Sequence, residues 1–180
     1  KEEHPNVILV DAGDRFTGNP YVDHAKEKGF PIISLMNDLG YEVGTLGNHE
    51  FDFGQKILRA RINDATFPII CANINSSQGE LDSIPPYYII EKDGIKLGFI
   101  GLVQTGTDQI PSTNPERLKD ITFDHYLDKV EDYKPLKRQC DVLIGLTHLG
   151  VDKDSILATQ MPELDIIIGG HTHTLLETSK

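Results

Sequence analysis

Apolar residues fall along this chain in short dense runs, each closed by polar or glycine-rich positions. The runs are "NVILVDAGD", "VGTLGNHE", "FPIICANIN", "IKLGFIGLV", "CDVLIGLTHLG" and "LDIIIGGHTHT". Near-continuous hydrophobicity over so few residues predicts strands covered on both faces. Between the runs the period changes. Ile32, Leu35, Met36 and Leu39 follow a helical stripe, entered at Pro31 and left at Gly40. Residues 55–64 and 152–160 predict two more helices. Phe123, Leu127, Val130 and Tyr133 begin a fourth, which Pro135 should end or kink. In "YYIIEKDGIKLGFIGLV", Asp93-Gly94 between two strand-like runs is a two-residue hairpin signal. Strands alternating with helices, plus one hairpin, predict a layered α/β domain with a mixed sheet. The loop at 104–116 is polar and contains proline, but it is too short to mark a domain boundary.

Composition narrows the class. At 180 residues the chain has room for one domain with a sound core. Apolar residues at 38% and charged residues at 25% exclude a disordered or membrane protein. No apolar run approaches the ~20 residues that span a bilayer. A net charge of −11 argues against a nucleic-acid partner. It also means that an anionic substrate needs a local source of positive charge, which bound divalent cations supply. Cys71 and Cys140 lie far apart, in or beside apolar runs, and read as small buried hydrophobes rather than a disulfide. The chain begins at Lys1, so a signal peptide is neither indicated nor excluded.

The chemistry gathers where the apolar runs end. The first stops at Asp14, the second at Gly47, Asn48 and His49, the fifth at His148, and the last at His171 and His173. Ligands of open α/β sheets collect beyond the carboxyl ends of strands. Singly, each residue has an ordinary explanation: Asp14 a turn or cap residue, Asn48 a left-handed turn position, His148 a satisfied core histidine. Together, four strand ends deliver one Asp, one Asn and four His, with Asp52 close behind. The other histidines, His4, His24 and His125, sit in polar stretches and read as solvated. A His-Glu-x-x-His zinc helix is excluded, because position 53 is Phe and the segment follows a strand. A structural Cys-His zinc site lacks paired cysteines. The remaining Asp/Asn/His set suits Zn, Mn or Fe, and Ca or Mg less well.

The order Gly13-Asp14, Gly47-Asn48-His49-Glu50, Thr147-His148, Gly170-His171-Thr172-His173 resembles the calcineurin-like metallophosphoesterases. "GDRFTG", "LMNDLGYEVGTLGNHEFDFG" and "IIIGGHTHT" are similar to the 5′-nucleotidase branch, which includes periplasmic UDP-sugar hydrolases and secreted or surface nucleotidases. The resemblance implies a four-layer α-β-β-α sandwich with two mixed β-sheets and two divalent metal ions, Zn, Mn or similar, at the strand ends. Asp14 would bridge both metals; Asn48, His148 and His171 would complete the second, and His173 would bind the first. His49 would be the catalytic histidine, oriented by Asp52, with Asn48 and His49 on the phosphate side of the substrate. Two cations ~3.5–4 Å apart clamp a phosphoryl group and bring bound water toward pKa ~7, giving a hydroxide that attacks phosphorus. The implied reaction is release of phosphate from nucleoside 5′-monophosphates. UDP-sugar hydrolysis and 2′,3′-cyclic-nucleotide phosphodiester hydrolysis stay open within the same chemistry.

The pattern departs from the family in two places. The Asp-x-His motif expected several tens of residues before Asp14 has no counterpart in "KEEHPNVILVDAG". The first metal site is therefore incomplete and the second complete. Nothing corresponds to the family's C-terminal nucleoside-binding domain. Residues 1–180 accordingly read as a partial catalytic domain of a longer periplasmic, secreted or cell-surface enzyme, poorly active alone. Arg15 reads as a surface salt-bridge residue rather than a phosphate contact. A non-catalytic scaffold with the same fold is the alternative of another class, against which stands the retained His49 and Asp52.

Overall fold

The computed structural model describes residues 6–76 and 79–176. Its strands are β1 (Val10–Asp11), β2 (Val43–Thr45), β3 (Ile69–Ile70), β4 (Ile74–Asn75), β5 (Tyr87–Lys92), β6 (Ile95–Val103), β7 (Thr122–Phe123), β8 (Val142–His148) and β9 (Ile166–Gly169). The helices are α1 (Pro20–Asp23), α2 (Phe30–Leu39), α3 (Gln55–Asp64), α4 (Tyr126–Glu131) and α5 (Val151–Gln160). One sheet has the order β1-β2-β3 and is parallel throughout. The other, β5-β6-β8-β9, is mixed through the antiparallel β5–β6 hairpin. The mixing expected of both sheets is thus confined to the four-stranded one. β4 and β7 form a separate antiparallel ribbon.

The pleat explains the dense apolar runs. Phe99, Ile144 and Leu146 point toward the first sheet and pack with its Val43 and Ile70. Their neighbours Ile100, Leu102 and Leu143 point the other way, onto Val130, Leu157 and Met161 of the α4–α5 layer. On the outer face of the first sheet, Ile33, Met36 and Leu58 of α2 and α3 close over Phe16 and Phe67. Each long strand therefore buries successive side chains in two different cores, which leaves no polar face to alternate with. The result is the α-β-β-α order of four layers. The hairpin forms where it was predicted, with Asp93 (φ 52°) and Gly94 (φ 80°) both left-handed and Lys92 opposite Ile95.

Two helices differ from the sequence expectation. α2 buries Ile33 and Met36 and leaves Leu35 and Leu39 about half exposed (51% and 53%). The helix is apolar over most of its surface, so its spacing admits two overlapping stripes, and contact with α3 and Phe67 selects one. The fourth helix begins at Tyr126, not Phe123. Phe123 instead lies in β7 and meets Phe51 edge-on at 5.7 Å. The stripe ran together residues of two cores: Phe123 belongs with Phe51, Tyr126 and Val130 with Leu157. Pro135 opens a 3₁₀ turn, Lys134–Arg138, beyond the helix. Cys71 is buried and free, its thiol pushed up to about 12 by burial; Cys140 is also free. His24 and His125 are exposed as expected, while His4 lies outside the described residues.

Candidate metal centre

The loops after β1 and β2 touch backbone to backbone. A Cβ on Gly13 would lie 2.5 Å from the Gly47 nitrogen, and one on Gly47 would lie 2.3 Å from Asp14 Oδ1. Glycine at both positions lets Asp14, itself left-handed at φ 65°, turn its carboxylate toward the second sheet. There His148, at the end of β8, brings Nε2 within 2.9 Å of Asp14 Oδ2. From the end of β9 comes His171, whose ring lies 5.1 Å from that of His148. Donor atoms of Asp14, His148 and His171 all fall within 4.8 Å of one another.

The state of His148 follows from its partners. Its Nδ1 is 2.6 Å from the Ala12 carbonyl, which only accepts, so Nδ1 carries a proton and Nε2 faces Asp14. The Nε2–Oδ2 approach is close yet lacks hydrogen-bond alignment. A lone pair and a carboxylate at that separation repel unless a proton or a cation lies between them. With a proton, burial opposes the charges on both groups, but their mutual attraction outweighs it. The His148 pKa is raised and the Asp14 carboxyl is held below its ordinary value, helped by the His49 N–H at 2.9 Å. Burial, and then the charge on His148, push His171 down, favouring the neutral form that ligates metals.

Asn48, next in sequence to the His49 whose N–H meets Asp14 Oδ1, carries an oxygen of the right kind. It is buried, and its Nδ2 donates to the Ser112 carbonyl at 3.0 Å. That bond sets which way the amide points. Its Oδ1 is left buried with no hydrogen-bond donor among the described residues. Buried acceptors without partners are rare, and a cation would satisfy this one. One carboxylate, two imidazoles and an amide oxygen form a set that fits Zn, Mn or Fe. His173 is exposed and falls outside the Asp14–His148–His171 group.

Beside this set, His49 and Asp52 stand one turn apart on a 3₁₀ segment, with Nδ1 2.6 Å from Oδ2. The His49 side chain is 46% exposed, so its far edge faces solvent. Burial works against the imidazolium, but Asp52 first and then the Asp14 charge raise its pKa. Asp52 also accepts Thr17 Oγ1 at 3.0 Å and Thr113 Oγ1 at 2.8 Å. Ser112 and Thr113, absent from the sequence reading, come from the 104–116 loop. The signal was available: this loop leaves the carboxyl end of β6, beside His148, and obeys the same strand-end rule. Arg15 is corrected. It is buried rather than on the surface, its Nε paired with Asp11 at 3.2 Å and a second guanidinium nitrogen donating to the Thr45 carbonyl. The Asp11 and Glu50 carboxylates and the Thr45 carbonyl compensate its charge inside.

Two stacked sheets, with carboxylate, imidazole and amide donors at their shared carboxyl edge, define a metallophosphoesterase architecture. The comparisons agree: the calcineurin-like phosphoesterase family matches residues 1–175, and the chain belongs to that family, on its 5′-nucleotidase-related branch. It is 34% identical over 212 residues to the trifunctional nucleotide phosphoesterase protein YfkN of Bacillus subtilis, covering 100% of this chain and 14% of the relative. It is 33% identical over 189 residues to a snake venom 5′-nucleotidase of Gloydius brevicauda, covering 99% and 30%. Among solved structures, a 5′-nucleotidase precursor from Thermus thermophilus superposes with a TM-score of 0.84 at 31% identity, over 97% of this chain and 34% of that one. The chain thus spans about a third or less of the length of these relatives.

Proposed function

We propose that this chain carries the phosphate-ester-hydrolysing site of a metal-dependent nucleotide phosphoesterase, with 5′-nucleotidase activity the favoured form. The observation that carries this reading is the convergence of Asp14, His148 and His171, together with a buried Asn48 oxygen that no donor among the described residues satisfies. These four residues would hold one divalent ion, and His173 with Asp14 would contribute to a second. Bound there, divalent cations supply positive charge to the phosphoryl oxygens and lower the pKa of water.

The chain's own residues account for the rest. Asp14 offsets part of the cationic charge, and the neutral Asn48 adds an oxygen without further offset. Asp52 holds the His49 ring by Nδ1 and raises its pKa, so a protonated ring can give its Nε2 proton to the departing ester oxygen. A scaffold without catalysis has no use for that oriented acid. Likeness to nucleotidases, one of them named for venom, supports a nucleotide substrate and a protein working outside the cytoplasm. Among the described residues no helix is long and apolar enough to cross a membrane.

The test is calorimetric titration of the chain with Mn²⁺, alongside phosphate release from AMP, 2′,3′-cyclic AMP and UDP-glucose. One tight site lost in His148→Ala, with slow turnover favouring AMP, supports the proposal. No Mn²⁺ binding by the unaltered chain refutes it.

A further inference from the structure

Glu50 stands in the same segment as Asn48 and His49 but belongs to no ligand group. It is fully buried, and its carboxylate faces backbone instead of a metal or substrate. Oε2 accepts the N–H of Asp14 at 2.8 Å and that of Gly47 at 2.5 Å, while Oε1 accepts the N–H of Arg15 at 2.7 Å. Those three donors come from two loops, one after β1 and one after β2. The strands beneath are joined by only two residue pairs, Val10 with Val43 and Asp11 with Gly44. So short a ladder does little to fix the loops above it. The Arg15 guanidinium lies 3.9 Å from Oε1 and is itself tied to Asp11 and Thr45.

A buried carboxylate is an expensive way to fill space, since its hydration must be replaced by donors. A hydrophobe would pack there without that demand, but it could not gather three N–H groups from two loops. We propose that Glu50 is a positioning residue, a carboxylate brace that locks the Asp14 loop onto the Gly47–His49 loop and so presets the spacing of the metal donors. The brace explains how Asp14 keeps its left-handed backbone (φ 65°) and why the His49 N–H meets Asp14 Oδ1. Donors held in place before a cation arrives lose less freedom when it binds. The metal half of this role rests on the function proposed above; the brace itself does not.

The experiment compares wild type, Glu50→Gln and Glu50→Asp by amide hydrogen exchange in the metal-free chain and by Mn²⁺ calorimetry. Glu50→Gln turns one acceptor into a donor facing an N–H, whereas Glu50→Asp keeps the charge but withdraws it by about 1.5 Å, one bond length. The expected result is exchange at Asp14, Arg15 and Gly47 accelerated about tenfold or more, from loss of charge-assisted bonds. Exchange in β6 and β8 stays at wild-type rates, and Mn²⁺ affinity falls about 10- to 100-fold, as when groups that hold metal ligands in place are lost. If Glu50→Gln does not fold, Glu50→Asp is held to the same criteria. Unchanged exchange at the three amides, acceleration shared equally by β6 and β8, or selective acceleration with unaltered Mn²⁺ affinity would each overturn the proposal. Wild type that takes up no Mn²⁺ refutes the metal site instead, a failure distinguished from loss of the brace because the exchange pattern needs no metal.

Discussion

Replacing Asn48 with leucine keeps the branched shape of the side chain but removes both polar atoms. In the metal-free chain the wild-type Oδ1 is buried without a donor among the described residues, a defect worth about 1–3 kcal/mol. The substitution relieves that defect and loses the bond to the Ser112 carbonyl, about 0.5–1.5 kcal/mol. Ser112 is exposed, so its carbonyl can turn to water. Metal-free Asn48→Leu should therefore be as stable as wild type or about 1 kcal/mol more stable, a rise of roughly 2–4 °C in Tm for a chain of this size. Manganese reverses the order. At one hundred times its dissociation constant, Mn²⁺ stabilises wild type by about 2.7 kcal/mol, or roughly 5–10 °C. Losing one of four donors should weaken affinity enough that the same concentration barely moves the variant. The assay is thermal unfolding of both proteins with EDTA and with Mn²⁺. Asn48→Leu that is destabilised by about 2 kcal/mol or more without metal, yet keeps the full Mn²⁺ shift, would refute the reasoning.

Two further outcomes are expected. His49→Ala should lower phosphate release from AMP by about 10²- to 10⁴-fold while leaving Mn²⁺ affinity nearly unchanged, and the loss should shrink for p-nitrophenyl phosphate, whose leaving group needs no proton; equal losses on both substrates would remove His49 from the acid role. The metal-free Asp14–His148 pair should stabilise the fold fully between pH 3.8 and 6.5, the two ordinary values. That contribution is lost as pH rises through the raised His148 pKa or falls through the lowered Asp14 pKa; urea titrations across pH should show the window in wild type and not in His148→Gln.

Much of this architecture was readable because its central strands β6 and β8 are buried on both faces, which compresses their apolar residues into unbroken runs; β9, read the same way, is an edge strand with Ile166 about half exposed. Asp93-Gly94 was readable because only left-handed backbone closes so tight a hairpin. The α2 face was not, since Leu35 and Leu39 are as apolar as Ile33 and Met36, and only the neighbouring helix distinguishes them. Arg15 and Glu50 were misjudged or passed over for a shared reason: charge in a sequence predicts exposure, and the three N–H groups that hold Glu50 inside are backbone atoms, which no side-chain pattern records. Thr113 was hidden differently. Its partner Asp52 lies 61 residues away, and the hydroxyl has no motif of its own. Asp14, His148 and His171, expected at one metal, converge as the strand-end argument requires; His173, expected at the other, lies outside that group.

The central claim is that donors from both sheets enclose one divalent ion. An anomalous-difference map from crystals of this chain soaked in Mn²⁺ tests it most directly. The account predicts a peak bounded by the Asp14 carboxylate, the imidazoles of His148 and His171, and Asn48 Oδ1. A map with Mn²⁺ bound elsewhere, and none among these four residues, would contradict it.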